Sequence, residues 1–163
     1  MRLAAPIALS IGVLVLDQAT KRLAEAVFAE SMRAIPVTPF FNLVLSHNRG
    51  ISFGLFRSEH AYAPFILALV ALTIVAGLAV WLWRSKSSIQ SFGLAAILGG
   101  AISNVIDRLE DGAVTDFLDF YVGAYHWPAF NLADTAIFCG VAALLFESVW
   151  PRSTVTRPHA ADD

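Results

Sequence analysis

Four apolar stretches, separated by polar segments of unequal length, set the plan of this chain. The first, residues 3–27, is read as a membrane helix with a polar far end. Arg2 ahead of an apolar run also fits a cleavable leader. The run continues, however, through Asp17 and Gln18 to Lys21 and Arg22 without a convincing cleavage site. The second stretch, 61–83, holds no charged residue, and at 1.5 Å per residue it covers a hydrocarbon core of roughly 30 Å. The third, 87–107, is uncharged through Ile106 and carries Ala96, Gly99, Gly100 and Ser103 at spacings that let helices pack closely. The fourth, 128–150, starts at Pro128, which a first helical turn accepts.

The segments between them are patterned differently. In 28–60, Pro36 and Pro39 break helices, and Phe40 to Leu45 is rich in strand formers. Ser46-His47-Asn48-Arg49-Gly50 supplies turn chemistry, with Gly50 free to take positive φ. Ser58 is placed to cap the second helix. The segment 108–127 reads as a loop, with Tyr121, Tyr125 and Trp127 suited to a membrane interface. A polar tail, 151–163, follows. The expected fold is a mainly α, polytopic membrane protein: one domain, 1–163, of four transmembrane helices with a small extracytoplasmic β-sheet or hairpin.

Composition agrees with that plan. Hydrophobic residues make up 57% of the 163 and charged residues only 15%, where a soluble domain carries about a quarter. A net charge of −2 gives no reason to expect nucleic acid. The single cysteine, Cys139, and the scattered His47, His60, His126 and His159 form no ligand set, so neither metal nor organic cofactor is expected. Four spans put both termini on one side and the long loops on the other. Basic residues divide five to six between those sides, which leaves the positive-inside rule undecided by count. The short link after Trp83 carries Arg84 and Lys86 with no acid, and this points to cytoplasmic termini.

The candidate chemistry gathers between Gly99 and Asp134. Asn104, Asp107 and Arg108 close the third span, with Asn104 and Arg108 one turn apart on one face. Asn131 and Asp134 lie three apart at the mouth of the fourth span, and on the first helix Asp17 and Lys21 are spaced to pair. Ionisable groups at such depth invite a functional reading. If a loop aspartate converges with Asp134, repulsion keeps one of the two protonated, and the pair can activate a water against a peptide carbonyl. Spacing leaves Asp116 and Asp119 as rivals for that place, although a solvated turn is the simpler role for Asp119. Gly50-Ile51-Ser52-Phe53-Gly54 matches a hydrolase nucleophile elbow, but no parallel sheet is available to hold one. A proton- or ion-coupled carrier is the alternative from another class; carriers, however, bind near the midplane, and here the span centres are uncharged.

Five motifs in order resemble one family, the lipoprotein signal peptidases, or signal peptidase II. They are Asp17 with Lys21; Asn48-Arg49-Gly50 with Phe53; Gly99-Gly100-Ala101 through Asn104 to Asp107-Arg108; Gly112 to Phe117; and Phe130-Asn131-Leu132-Ala133-Asp134. The resemblance covers nearly the whole chain. It implies an aspartic endopeptidase with Asp116 and Asp134 as the catalytic pair, leaving Asp119 outside. It implies that Asn48, Gly50, Asn104, Arg108 and Asn131 bind substrate or support the site, with Asp17, Lys21 and Asp107 in structural support. The implied substrate is a bacterial prolipoprotein bearing a diacylglyceryl group, cut just before the lipidated cysteine. The implied setting is the bacterial inner membrane, with the site on its outer side, lipid around the helices, and the enzyme acting as a monomer. Ser103 stands where glycine is common and Ser52 where alanine is common, both small-for-small changes.

Overall fold

The structure, a computed structural model, describes residues 2–31, 33–50 and 62–149. Four long helices carry it: α1 (Ala4–Phe28), α2 (Ala63–Arg84), α3 (Ser88–Glu110) and α4 (Leu132–Val149). All four are long and apolar enough to cross a membrane. Side chains such as Ile11, Leu23, Phe65, Leu69, Phe138 and Leu145 face outward. An outward apolar surface of that kind belongs against lipid.

The third helix, α3, is the axis, since α1, α2 and α4 each pack on it and it alone is buried along most of its length. Small residues make this possible. A Cβ at Gly99 would collide with the Ser10 carbonyl oxygen of α1, and one at Gly100 with the Ala133 carbonyl oxygen of α4. The spacing of Gly99, Gly100 and Ser103 is therefore a packing device that draws α1 and α4 against adjoining faces of one helix. Leu82, Leu94 and Leu98 form the buried cluster between α2 and α3, with Val75, Leu78 and Leu144 against it. Ser87 caps α3 by accepting the Gln90 N–H, and Gly112, at φ +69°, ends it with the left-handed turn that glycine adopts without strain.

At one end of the bundle stands a four-stranded antiparallel sheet in the order β1 (Ile35–Thr38), β2 (Phe41–Asn48), β3 (Val114–Val122), β4 (Tyr125–His126). The first connection supplies two strands, and the second supplies two more where the sequence reads as a loop. Val114 to Val122 has the strand formers for this, but the aspartates and the aromatic residues mask the alternation. The register sets Ser46 opposite Asp116 and Asn42 opposite Asp119. The helix boundaries also differ from the sequence reading. The fourth helix starts at Leu132 and not at Pro128, because Phe130 is drawn to β3, where it pairs with Leu118. The second starts at Ala63, and Ser58 lies outside the described residues, as do Ile51 to Gly54 of the elbow-like motif.

Candidate active site

The site lies where the sheet meets the ends of α1, α3 and α4. Its base is a buried ion cluster. Lys21, on α1, directs its ammonium to three oxygens: Asp17 Oδ2 at 2.6 Å, Asp107 Oδ2 at 2.7 Å and Asn104 Oδ1 at 2.9 Å. An ammonium has three N–H donors, so this cation is fully used. Asp17 is wholly buried, and its other oxygen accepts the Ala133 N–H at 2.8 Å, so a residue of α1 caps α4. Ser103 adds its hydroxyl to Asp17 at 2.7 Å, which glycine at that position would lack. Gln18 reaches Asp107 at 2.6 Å.

Above the cluster, Asn104 and Asn131 hold the two aspartates singled out by the sequence. Asn104 donates to Asp134 Oδ1 at 2.8 Å and receives Lys21 on its carbonyl oxygen, which fixes the orientation of its amide. Asn131 is the N-cap of α4: its Oδ1 accepts the Asp134 N–H at 2.9 Å. Its amide nitrogen donates to Asp116 Oδ1 at 2.7 Å. One side chain thus touches the backbone of one aspartate and the carboxylate of the other. Asn48 reaches Asp116 as well, and also turns back to accept the Gly50 N–H at 3.0 Å. That side-chain turn replaces the expected positive φ at Gly50; among the described residues, Gly112 and Gly123 are the glycines with positive φ. Arg108 donates to the Gly50 carbonyl at 3.2 Å and the Asn104 carbonyl at 3.0 Å, tying the end of β2 to α3.

Asp116 lies outside the spans, on β3, and is 2% exposed. Burial, reinforced by the charge of Asp134, pushes its carboxyl up to about 7, against hydrogen bonds from Asn48 and Asn131 and the positive charge of Lys21. A group titrating there can hold or release a proton near neutrality, as acid–base chemistry requires. Asp119 stands apart. Three residues further along the strand, it falls on the other face. It is a buried strand residue, not a solvated turn residue, and bonds Asn42 Nδ2 at 3.1 Å and His126 Nδ1 at 2.9 Å. Sequence reasoning missed this trio, along with Gln18, Glu25 and Thr115. Glu25 could have been found, because it follows Asp17 and Lys21 at the same four-residue step.

The model of the family described as signal peptidase (SPase) II matches residues 9–150. The chain belongs to that family. Signal peptidase II is an aspartic protease, and the chain is accordingly an enzyme of that class. Curated relatives named lipoprotein signal peptidase include one from Beijerinckia indica, 43% identical over 83% of this chain and 81% of its own length. Another, from Rhodopseudomonas palustris, is 45% identical over 89% and 92%. A third, from Burkholderia pseudomallei, is 46% identical over 86% and 85%. A solved bacterial membrane enzyme shares the fold at a TM-score of 0.77, with 22% identity over 97% of this chain and 94% of that one. The carrier alternative finds no support in these relatives.

Proposed function

We propose that this signal peptidase II removes the signal peptide from diacylglyceryl-modified bacterial prolipoproteins, cutting just before the lipidated cysteine, with Asp116 and Asp134 as the catalytic pair. The observation that carries the reading is the double contact of Asn131, which bonds the carboxylate of Asp116 and the backbone of Asp134. It ties a strand and a helix together at the two carboxyl groups the chemistry needs. The shared name of the curated relatives supplies the substrate class.

In this reading one carboxyl of the pair is ionised and the other holds a proton. The ionised carboxyl takes a proton from a water as the water oxygen attacks the scissile carbonyl carbon, and the protonated one gives its proton to the carbonyl oxygen. The tetrahedral gem-diol collapses by breaking the C–N bond: the leaving amine takes the proton first removed from water, and one hydroxyl of the diol returns a proton to the carboxylate that had protonated the carbonyl oxygen. Neither carboxyl is consumed. Asn131 and Asn104 keep the two groups in register, and Arg108 with Asn48 holds the strand end and Gly50 beside them. The site would face the outer side of the inner membrane, with both termini cytoplasmic, and a single copy would suffice.

The test is cleavage of a purified diacylglyceryl-modified prolipoprotein. Asp116→Asn and Asp134→Asn should each lose about 10²- to 10⁴-fold in turnover while the fold is kept, because the amide is isosteric but cannot exchange a proton. Asp119→Asn should remain active. Full activity in either of the first two sinks the pair, and equal cleavage of unmodified prolipoprotein sinks the substrate assignment.

A further inference from the structure

We propose that Thr115 and Glu25 form a positioning pair that fixes where Asp116 stands relative to Asp134, an inference that rests on reading those aspartates as the catalytic pair. Thr115 precedes Asp116 on β3 and is 2% exposed. Each of its polar groups is held by a different element. Its N–H donates to Asp107 Oδ2 of α3 at 3.3 Å, and its carbonyl accepts from the Asn131 cap of α4 at 3.3 Å. Its hydroxyl donates to Glu25 Oε1 of α1 at 2.9 Å. The first two partners already serve the site; the third does not, and it reaches a helix that otherwise touches β3 only lightly.

Glu25 is the third member of a row. Asp17, Lys21 and Glu25 fall on successive turns of one face of α1, so they climb from the buried cluster toward the sheet. Asp17 holds the start of α4, Lys21 holds Asn104, and Glu25 holds β3. One helix face therefore touches α3, α4 and β3, the elements that carry Asn104, Asn131 and the pair itself. Alternation along a strand turns the two side chains to different partners: Thr115 to Glu25 of α1, and Asp116 to the Asn131 cap of α4. Consecutive Cα atoms are a fixed 3.8 Å apart, so a shift at Thr115 is passed on to Asp116. Misplacement of reacting groups by about 1 Å can cost about 100-fold in rate.

The experiment compares purified wild type with Thr115→Val, Glu25→Leu, the double variant, Glu25→Gln and Asp116→Asn. Cleavage of a diacylglyceryl-modified prolipoprotein peptide is followed as kcat, KM and the pH profile of kcat. Thr115→Val keeps shape and strand preference and loses only the hydroxyl. It should lower kcat about tenfold with KM within about twofold, and should move the alkaline limb of the profile. Glu25→Leu should match it, and the double variant should be no worse than either single, as two halves of one contact require. Glu25→Gln, whose amide oxygen still accepts the hydroxyl, should recover most of kcat. Wild-type kcat and pH profile in Thr115→Val, or additive losses in the double variant, would overturn the pair. A loss in Glu25→Gln as large as in Glu25→Leu would do so too. An active Asp116→Asn removes the reading beneath the proposal, whereas an inactive Asp116→Asn beside an unaffected Thr115→Val removes the proposal alone.

Discussion

Asp17 accepts the backbone N–H of Ala133 at 2.8 Å, so a carboxylate on the first helix caps the fourth one residue before Asp134. The same carboxylate pairs with Lys21 and receives the Ser103 hydroxyl. Asp17→Ala therefore strips a buried cation of one partner and leaves a helix N–H without an acceptor. Breaking a buried pair from one side costs about 3–5 kcal/mol. Thermal unfolding in detergent should show a large drop for Asp17→Ala, and a smaller one for Asp17→Asn, which keeps an oxygen for Ala133. Activity should fall by more than the folded fraction alone requires, since Asp17 holds Ala133, the neighbour of Asp134. An unfolding midpoint equal to wild type in Asp17→Ala would refute the capping role.

Gly100 gives a second test. A methyl group added there meets the Ala133 carbonyl oxygen and the Ile137 side chain, and no rotation of the methyl relieves a contact with backbone. Gly100→Ala must push α4 away from α3, at a cost of about 1–3 kcal/mol for overpacking. The displaced residue is the neighbour of Asp134, so kcat should fall even in the fraction that stays folded. Gly77, inside α2 with open space around it, is the matched control, and Gly77→Ala should not lower the unfolding midpoint and should leave cleavage unchanged.

Much of this was legible in the sequence, for a physical reason. Long uncharged runs admit one solution in lipid, and Asn104, Asn131 and Asp134 stand out because polar groups at the ends of such runs are costly, whereas Asp116 was set apart from Asp119 only by the family resemblance. The partner of Asp17 was legible only in part. Its spacing to Lys21 shows in the chain, but its contact with Ala133 is set by how α1 and α4 pack on α3. The strand at Val114 to Val122 was hidden because three of its buried positions are Thr115, Asp116 and Asp119, whose burial is offset by partners distant in sequence. For the same reason Asp119 read as a solvated residue: its acceptance of Asn42 and His126 depends on a strand register that one sequence does not specify.

The titration of Asp116 makes two statements about pH. Its carboxyl sits near 7 in the folded protein against 3.8 for an ordinary aspartate. Between those values the folded state binds more protons than the unfolded, so stability falls as pH rises through the window and the full cost is present above about 7. Asp116→Asn removes that cost. Its unfolding midpoint should gain on wild type at pH 8 and lose the advantage toward pH 4, as measured by thermal unfolding across that range. Turnover follows the same proton: a pair that needs one carboxyl protonated should lose kcat as pH rises past about 7. A flat kcat from pH 6 to 9 would contradict the assignment.

Asn131 allows its two roles to be separated. As N-cap of α4 it uses its oxygen, and toward Asp116 it uses its nitrogen. Asn131→Asp keeps the oxygen, and aspartate caps as well as asparagine, so helix stability should change by no more than a few tenths of a kcal/mol from this source. The donor facing Asp116 becomes a carboxylate within hydrogen-bond distance of another. Like charges this close disfavour ionisation, so the Asp116 carboxyl is driven further up and its proton is harder to release. Asn131→Ala loses both functions, and the cap alone costs about 0.5–2 kcal/mol. Both variants should therefore unfold below wild type, Asn131→Ala through the lost cap and Asn131→Asp through the buried carboxyl set beside Asp116, while cleavage should be lost in both. Retained cleavage in Asn131→Asp would mean that the nitrogen contact with Asp116 contributes nothing to turnover, and the double contact would then be a cap and no more.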